Sequence, residues 1–226
     1  MFNDFLMNNS KEDLYYKIMI IGGYAVGKTQ IMKRFCKEDF EEKYFPTFGM
    51  DFRVQKYFFD NLTTTIQIIE VSNKNHPPKE LIRDYVLDAD CFLCIYDISR
   101  RDSVNELNNM ISNYENIIGT TNKQQCWYFV GNKCDSKDRE CSENPADIFG
   151  YTPMGTIGFI EVSAKDNKFI ENMLNNTIFQ IKLLKRRRTN DIQNIEFSSN
   201  KILSIKNSEN KKEPVKQEKN TKCIIY

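Results

Sequence analysis

The stretch that most constrains this chain has the pattern GxxxxGK[ST] and lies at residues 22–29. The apolar run 14–21 comes directly before it, and a helix-forming stretch at 29–38 follows. A strand, a loop of this pattern and a helix, in that order, are what a phosphate-binding loop requires. The alternative interpretation is a tight strand-to-helix turn that matches the pattern by chance. We interpret the stretch as the site for the phosphates of a nucleotide.

Each fixed residue of this pattern has a chemical task. Gly22 and Gly27 let the backbone bend so that successive N–H groups point towards phosphate oxygens, and the following helix adds the positive end of its dipole. Lys28 can reach the terminal phosphates. The hydroxyl of Thr29 suits a Mg²⁺ ion that has few protein ligands beside phosphate and water. The pattern therefore predicts a nucleotide bound with magnesium.

The distribution of charge separates a body from a tail. The 226 residues have a net charge of +1, but residues 1–184 hold 21 Lys and Arg against 26 Asp and Glu, and residues 185–226 hold 11 against 5. A basic tail on a mildly acidic body favours an anionic lipid surface, and not nucleic acid, as the partner of the tail. Residues 189–226 are polar and rich in Asn, Lys, Ser and Glu, which predicts a disordered tail.

The seven cysteines have no regular framework spacing, which is typical of a reducing compartment. Cys91 and Cys94 form a CxxC pair, but they lie in the apolar run 91–97, so buried strand cysteines are favoured over a redox pair. Residues 1–12 are interpreted as an extension that lacks the basic region of a signal peptide. No stretch approaches the roughly 20 apolar residues of a membrane span. These features predict a cytosolic protein that can associate with a membrane.

Apolar runs alternate with helix-forming stretches along the chain. The alternation predicts an α/β fold with a mostly parallel six-stranded sheet, one antiparallel edge strand and helices on both faces. The antiparallel pair is predicted from the turn signal at residues 60–62. A short helix is expected near Ala146–Tyr151. The predicted strands cover 14–21, 51–59, 63–71, 91–97, 126–131 and 159–163, and the predicted long helices cover 29–38, 79–88, 103–118 and 170–186.

A second motif, which reads Asn-Lys-Cys-Asp, lies at residues 132–135 directly after a predicted strand. Ligands of parallel sheets bind at the carboxyl ends of strands, so this motif should lie near the phosphate-binding loop. The carboxylate of Asp135 can accept from both N1–H and the 2-amino group of guanine, a donor pair that adenine does not offer. Ser-Ala-Lys at 163–165 ends the next predicted strand. The motifs together predict guanine as the base.

The order and spacing of these motifs resemble a Ras-superfamily small GTPase, most similar to the Rab branch, over roughly residues 12–186. The resemblance implies a P-loop NTPase fold, the small G domain, at residues 13–188, which binds GTP or GDP with Mg²⁺. It implies that Lys28 contacts the β- and γ-phosphates and that Thr47 is the switch I threonine. These two residues would be the catalytic residues. The metal ligands that it implies are Thr29, Thr47 and Glu70.

The resemblance also implies a role for each residue around the base. Phe40 would pack on the guanine, Asn132 and Asp135 would read it, Lys133 would brace the loop, and the N–H of Ala164 would meet the guanine O6. The full predicted nucleotide-binding set is Gly22, Tyr24, Ala25, Val26, Gly27, Lys28, Thr29, Gln30, Phe40, Thr47, Asn73, Asn132, Lys133, Asp135, Ser163, Ala164 and Lys165.

The sequence departs from the family where the third strand ends, because the family has Asp-x-x-Gly-Gln-Glu and this chain has Glu-Val-Ser-Asn-Lys-Asn at 70–75. Glu70 keeps the charge of the aspartate but is one methylene longer. Asn73 replaces the glycine whose N–H touches the γ-phosphate. Lys74 replaces the glutamine that orients the attacking water, and an ammonium offers that water no acceptor. We expect intrinsic hydrolysis on the order of 10⁻⁴ s⁻¹ or slower. Lys74 either points into solvent, which is the favoured interpretation, or acts on the γ-phosphate by its charge.

Tyr24 is a second departure, because the family keeps a glycine or small residue there. Its phenol either blocks the incoming arginine of an activating protein or lies outward, and the residues alone leave both open. Rab-type activating proteins are expected to bring a glutamine as well as an arginine, so the missing glutamine need not abolish stimulated hydrolysis. His76, the only histidine, is expected to be an exposed loop residue.

The chain ends in Cys-Ile-Ile-Tyr at 223–226, which has the C-a-a-X form. This form predicts prenylation of Cys223, although Tyr226 is not among the usual final residues. One lipid chain anchors weakly, so the basic residues of the tail would supply a second signal on an anionic leaflet. The alternative is a solvated tail with a coincidental cysteine.

The first functional hypothesis is a Rab-like GTP/GDP switch of membrane traffic, on the cytoplasmic face of an intracellular membrane with a cytosolic pool. Effector, exchange factor and activating proteins would contact its switch regions, and residues 48–52 are similar to the effector-facing stretch of Rab proteins. The second hypothesis is a pseudo-GTPase scaffold that binds guanine nucleotide without meaningful hydrolysis. A third, an ATP-using P-loop kinase, predicts that ATP competes with GTP.

Overall fold

A computed structural model describes residues 14–43, 45–59, 62–72, 78–120 and 123–187 of the chain. The strands are β1 (Leu14–Gly22), β2 (Met50–Phe59), β3 (Leu62–Val71), β4 (Cys91–Asp97), β5 (Cys126–Asn132) and β6 (Thr156–Glu161). The helices are α1 (Lys28–Phe35), α2 (Lys79–Asp88), α3 (Asp102–Ile118), α4 (Pro145–Ile148) and α5, which covers 170–187.

The strands form one six-stranded sheet in the order β2-β3-β1-β4-β5-β6. β2 runs antiparallel to β3 at the edge, and every other neighbouring pair is parallel. This confirms the predicted fold class, including the antiparallel edge strand. Because the carboxyl ends of parallel strands meet at one edge, the segments that follow β1, β3, β4, β5 and β6 converge there.

Both faces of the central strand β1 are buried, since its alternate residues enter two different cores. Ile18 and Ile20 pack in a cluster that takes its helical residues from α1 and α5. Met19 and Ile21 pack in a second cluster that takes its helical residues from α2 and α3, with a contribution from α4. A parallel strand covered on both sides needs a continuous apolar run, which explains the runs at 18–21, 91–96 and 126–131.

The CxxC pair of β4 is divided between these two cores. Cys91 belongs to the first cluster and Cys94 to the second, and both thiols are fully buried and free. Burial raises the pKa of both thiols well above its usual value. The interpretation as buried strand cysteines is therefore confirmed.

Two long elements have other bounds than predicted. α1 ends at Phe35 and not at 38, because Lys37 takes a left-handed backbone with φ of +60° that no helix continues through. β6 covers Thr156–Glu161 and not 159–163. The strand begins earlier because Gly158, with a φ of +143°, lies in β6 where the pairing with β5 is irregular between Trp127 and Tyr128. A bulge accommodates such a glycine.

Two short features also differ from the prediction. Leu62 belongs to β3 and pairs with Phe59, so it is not part of the turn, and residues 60–61 lie outside the described part. α4 begins at Pro145 and ends at Ile148, earlier than predicted. The side chain of Asn144 accepts a hydrogen bond from the Ala146 N–H, and this cap with a proline in the first turn fixes the start.

The chain divides into two units, Met1–Leu184 and Lys185–Tyr226. In the second unit, residues 185–187 are helical, and 188–226, with the predicted tail and Cys223, lie outside the described part. None of the helices within the described ranges has the length and apolar character that crossing a bilayer needs.

Candidate functional site

The loop between β1 and α1 encloses a buried ammonium group. Lys28 is 7% exposed, and its Nζ donates to the carbonyl oxygens of Gly22 at 3.0 Å and Gly23 at 2.7 Å. Burial lowers the pKa of Lys28, while the nearby carboxylates of Glu70 and Glu106 act in the opposite direction. The loop thus holds a positive charge inside its own turn, where the sequence predicts phosphate.

The two fixed glycines of the loop have no room for a side chain. Gly22 has a φ of +151°, and a Cβ there would lie 2.2 Å from the carbonyl oxygen of Ile95. Gly27 has a φ of +96°, and a Cβ there would lie 2.2 Å from Nδ2 of Asn132. The spacing of the motif is therefore explained by contacts to β4 and to the loop after β5.

Two hydroxyls and a carboxylate meet beside this loop. Thr29 Oγ1 lies 3.0 Å from Thr47 Oγ1 and donates to Oε1 of Glu70 at 2.8 Å, and Thr47 Oγ1 lies 3.4 Å from the same oxygen. Glu70 is 3% exposed, and its Oε2 has no hydrogen-bond partner within the described ranges. Burial raises the pKa of Glu70, and the hydrogen bond from Thr29 opposes the increase.

The donor set at this point fits magnesium. Mg²⁺ is a hard cation that takes oxygen ligands and binds through few protein groups beside phosphate and water. A buried carboxylate oxygen without a partner, next to two hydroxyls, is a group that such an ion would satisfy. The three residues predicted as metal ligands, Thr29, Thr47 and Glu70, are therefore brought together.

The segment that carries Thr47 is tied to the end of β3. Ser72 Oγ donates to the carbonyl oxygen of Thr47 at 2.6 Å, and the Ser72 N–H donates to the carbonyl oxygen of Gly49 at 2.8 Å. Sequence reasoning missed Ser72, because the family pattern leaves its position open and so assigns it no role. Asn73, Lys74 and His76 lie outside the described residues, so the predictions for them stay predictions.

The loop after β5 is held by two side-chain contacts, each of which involves an aspartate. Ser163 Oγ donates to Oδ1 of Asp135 at 2.6 Å, which orients a carboxylate that is otherwise exposed. Lys133 has a φ of +68°, and its Nζ lies 2.5 Å from Oδ2 of the buried Asp97. Lys133 therefore braces this loop against β4. Sequence reasoning missed Asp97, although its place at the carboxyl end of β4 was the available signal.

Asn132 connects the phosphate loop with the segment 163–165. Its side chain is 2% exposed, and Nδ2 donates to the carbonyl oxygen of Val26 at 2.8 Å while Oδ1 accepts from the Ala164 N–H at 3.1 Å. Both ends of the Asn132 amide thus have backbone partners, and the Ala164 N–H, predicted to meet guanine O6, donates to the Asn132 side chain in this structure. Asn132 acts here as a strut between two loops.

A cavity of about 410 Å³ lies between these segments. Gly22 and Ser163 do not line it. They contact lining residues instead, because Gly22 accepts a hydrogen bond from Lys28 and Ser163 donates one to Asp135. Asn73 lies outside the described residues. The predicted residues that do line the cavity are Tyr24, Ala25, Val26, Gly27, Lys28, Thr29, Gln30, Phe40, Thr47, Glu70, Asn132, Lys133, Asp135, Ala164 and Lys165.

Tyr24 is held by α3 and the turn that precedes it. Its N–H donates to Oε2 of Glu106 at 2.9 Å, and its carbonyl oxygen accepts from Nη2 of Arg100 at 2.5 Å. Arg100 and Glu106 also form an ion pair at 2.9 Å. Tyr24 lines the cavity and is 39% exposed. Its backbone is therefore held on both sides, at the edge of the cavity.

Comparison with known proteins gives one family. Residues 17–183 match the Ras family. The chain is 25% identical over 174 residues to the GTP-binding protein YPT1 of Saccharomyces cerevisiae, which covers 77% of this chain and 82% of that protein. It is 30% identical over 165 residues to the Ras-related protein Rab-8A of Gallus gallus, covering 71% and 75%. It is 27% identical over 169 residues to the Ras-related protein RIC1 of Oryza sativa subsp. japonica, covering 72% and 78%. The chain therefore belongs to the Ras family of small GTPases, and the Rab and Ypt proteins are the members that it resembles.

Proposed function

We propose that this protein is a Rab-like GTP/GDP switch of membrane traffic with slow intrinsic GTP hydrolysis. The observation that carries the proposal is the meeting of Thr29, Thr47 and Glu70, which joins the phosphate loop, the switch I segment and the end of β3. A ligand that occupies this point biases the position of the segment that bears Thr47. Order and release of that segment is how a GTPase switch reports its nucleotide.

The chemistry assigned to the chain is positioning and charge stabilisation. Lys28 and the N–H groups of the loop would hold the β- and γ-phosphates, and Thr47 would close over the γ-phosphate. Mg²⁺ would be held by Thr29, Thr47 and Glu70, and it supplies neutralisation of the charge that develops on the phosphates. The γ-phosphate would add a contact to the hydrogen bonds that Thr47 already makes, and its loss would favour release of the switch I segment.

The end of the cavity that Asp135 and Ala164 line, here called the base end, favours guanine over adenine. Asp135 is oriented by Ser163, and its carboxylate can accept from two neighbouring donors of a guanine ring. This geometry argues against the ATP-using kinase. ATP in tenfold excess should therefore leave GTP binding unchanged in a competition experiment.

The test of the proposal is calorimetry followed by single-turnover hydrolysis of [γ-³²P]GTP in magnesium buffer. We expect uptake of both GDP and GTP, intrinsic hydrolysis on the order of 10⁻⁴ s⁻¹ or slower, and at least tenfold stimulation by a Rab-type activating protein. Absence of GDP and GTP uptake would overturn the proposal as a whole.

Tyr24 favours a second candidate, the pseudo-GTPase scaffold. Tyr24 lines the cavity at the position where the family keeps a small residue, and its backbone is held by Arg100 and Glu106. A phenol there would hinder the arginine of an activating protein. Hydrolysis at background level with and without the activating protein would support the scaffold, and Tyr24→Gly should then restore stimulation. The matched variant Lys74→Gln tests the missing switch II glutamine separately.

We also propose that the protein associates with the cytoplasmic face of an intracellular membrane and has a cytosolic pool. The support is the C-a-a-X form at Cys223 and the excess of Lys and Arg in residues 185–226. Partners that contact the switch regions would include an effector, an exchange factor and an activating protein. Phe48, in the stretch similar to the effector-facing residues of Rab proteins, is 73% exposed.

A further inference from the structure

Arg34 lies on α1 but contacts the base end of the cavity. Its Nε donates to the carbonyl oxygen of Ala164 at 2.8 Å, and its Nη2 donates to the carbonyl oxygen of Lys165 at 2.9 Å. The two nitrogens of one planar guanidinium thus hold two successive carbonyl groups. Only an arginine offers donors in this fixed arrangement.

The same guanidinium contacts a second wall of the cavity. Its central carbon lies 6.0 Å from the centroid of the Phe40 ring, which is within reach of a cation–π interaction. Phe40, Ala164 and Lys165 line the cavity, and Arg34 does not. Arg34 therefore lies outside the cavity lining, where it connects the Phe40 ring with the backbone of the segment 163–165.

Ala164 is consequently held at both of its polar groups. Its N–H donates to Oδ1 of Asn132 and its carbonyl oxygen accepts from Arg34. Asn132 in turn reaches the phosphate loop at Val26. Removal of the Arg34 contacts leaves Ala164 fixed on one side only, while the contacts of the phosphate loop stay intact.

We infer that Arg34 is a positioning residue for the base, which holds residues 163–165 and the Phe40 ring around a 6-oxopurine and so slows nucleotide release. The inference rests on the guanine-nucleotide binding proposed above. Within the described residues, Arg34 contacts no group assigned to phosphate or metal, so its influence belongs to the base. It belongs in particular to the oxygen at position 6, which in the proposed complex would accept from the Ala164 N–H in place of Oδ1 of Asn132.

The experiment measures release of bound nucleotide from the full chain. The wild-type protein and the variants Arg34→Gln, Arg34→Lys and Lys37→Gln are loaded with N-methylanthraniloyl GDP in magnesium buffer and mixed with excess unlabelled GDP. Lys37 is the matched control, because it is an exposed cation just after α1 and its change removes the same charge. The labelled diphosphates of inosine and 6-thioguanosine are measured in the same way.

We expect Arg34→Gln to accelerate GDP release about tenfold, since two hydrogen bonds to a charged donor are lost. Arg34→Lys keeps the cation and most of the alkyl stem, and should still release GDP several-fold faster because its single ammonium cannot span both carbonyls. Inosine diphosphate, which keeps the 6-oxygen, should show the same acceleration as GDP. The 6-thio analogue should show less than a third of it, because sulfur is a weak acceptor.

Three results would contradict this inference. They are release from Arg34→Gln within twofold of wild type, equal acceleration for GDP and its 6-thio analogue, and equal acceleration in Lys37→Gln. The second result would mean that Arg34 only supports the fold. Absence of GDP binding by the wild-type chain would overturn the proposed function as well, whereas normal binding with unchanged release in Arg34→Gln would overturn this inference alone.

Discussion

Lys133 Nζ lies 2.5 Å from Oδ2 of Asp97, which joins the loop after β5 to the carboxyl end of β4. Asp97 also accepts from the N–H of Ser99 at 3.0 Å and from its hydroxyl at 2.7 Å. Burial would raise the pKa of Asp97, but the hydrogen bonds from Lys133 and Ser99 outweigh burial, and the pKa lies below its ordinary value of 3.8. The carboxylate is therefore charged throughout the physiological range.

The first prediction concerns this carboxylate. An acid with a lowered pKa in the folded state stabilises the fold above its ordinary pKa, here 3.8, and the contribution is lost as the pH falls through the lower folded value. Asp97→Asn should lower the free energy of unfolding at pH 7 by about 1–2 kcal/mol and flatten its pH dependence below 3.8. Urea titrations at several pH values measure both. Asp138→Asn, in the loop that carries Lys133, is the control, and an equal loss of stability in both variants would contradict the prediction.

The second prediction concerns Glu70 and the metal. Glu70→Gln removes the charge but keeps the shape, so the metal should add little to nucleotide retention. EDTA, which should strongly accelerate GDP release from the wild type, should accelerate release from Glu70→Gln at least tenfold less. Glu70→Asp restores the family residue and should keep most of the sensitivity. The same response to EDTA in all three proteins would count against Glu70 as a metal ligand.

The buried carboxyl of Glu70 also gives a prediction on pH. Its pKa is raised above 4.5 by burial, so the folded state holds the proton more tightly than the unfolded state does. Without metal and nucleotide, the free energy of unfolding should therefore fall as the pH rises from 4.5 through the raised folded value. Glu70→Gln should abolish this decrease. A decrease of the same size in the variant would assign it to another group.

The third prediction concerns base selection. Asp135→Asn replaces two acceptor oxygens by an amide with one donor and one acceptor, which matches xanthine better than guanine. Xanthosine diphosphate should therefore compete better than GDP for the nucleotide site of this variant. Ser163→Ala removes the hydroxyl that orients the carboxylate at 2.6 Å and should weaken GDP binding several-fold while guanine stays preferred. Competition against labelled GDP measures both. An unchanged preference in Asp135→Asn would refute the contact with the base.

The fourth prediction concerns the phosphate loop. In Gly27→Ala, the new Cβ would meet Nδ2 of Asn132 at 2.2 Å, and the backbone would keep a φ of +96° that alanine disfavours. The left-handed backbone alone costs about 1–2 kcal/mol, and the strut between Val26 and Ala164 would be displaced as well. Gly150→Ala is the matched control, since a Cβ there has nothing within 4 Å. Thermal unfolding should show a lower free energy of unfolding for Gly27→Ala than for the wild type. For Gly150→Ala the free energy of unfolding should change by no more than about 0.5 kcal/mol.

The fifth prediction concerns membrane association. Cys223→Ser should move the protein expressed in eukaryotic cells from the membrane pellet to the soluble fraction, because the prenylation acceptor is removed. Cys36→Ser is the control for loss of a thiol. Undiminished recovery of Cys223→Ser with membranes would contradict lipidation, and intermediate recovery that falls with added salt would assign part of the binding to the basic residues of the tail.

The sequence predicts the elements of this fold well, because their signals are local and repeated. A strand buried on both faces is apolar at nearly every position, and β1, β4 and β5 have Lys17, Asp97 and Asn132 as their only charged or amide residues. Element ends depend instead on single backbone conformations, such as the left-handed Lys37 that ends α1 and the bulge at Gly158 that lets β6 begin earlier. Residue types do not fix these conformations.

The candidate site shows the same division. The motifs predict Lys28, Thr29 and Asp135 because each motif carries its own spacing. The contacts that hold the site together join distant segments, such as Arg34 with Ala164 and Lys165, which are separated from it by 130 and 131 residues. A single sequence gives the chemistry of a guanidinium but not its partner, since several carbonyl groups would satisfy it equally.

The two hydrogen bonds of Ser72, to Thr47 and to Gly49, rigidly connect the segment before β2 with the end of β3. A partner that grips residues 47–49 therefore also restrains the start of the segment after β3, and a ligand that holds Glu70 and Thr47 restrains the surface which that partner grips. By thermodynamic linkage, each must then increase the affinity of the other by the same factor. Ser72 would set how large that factor is.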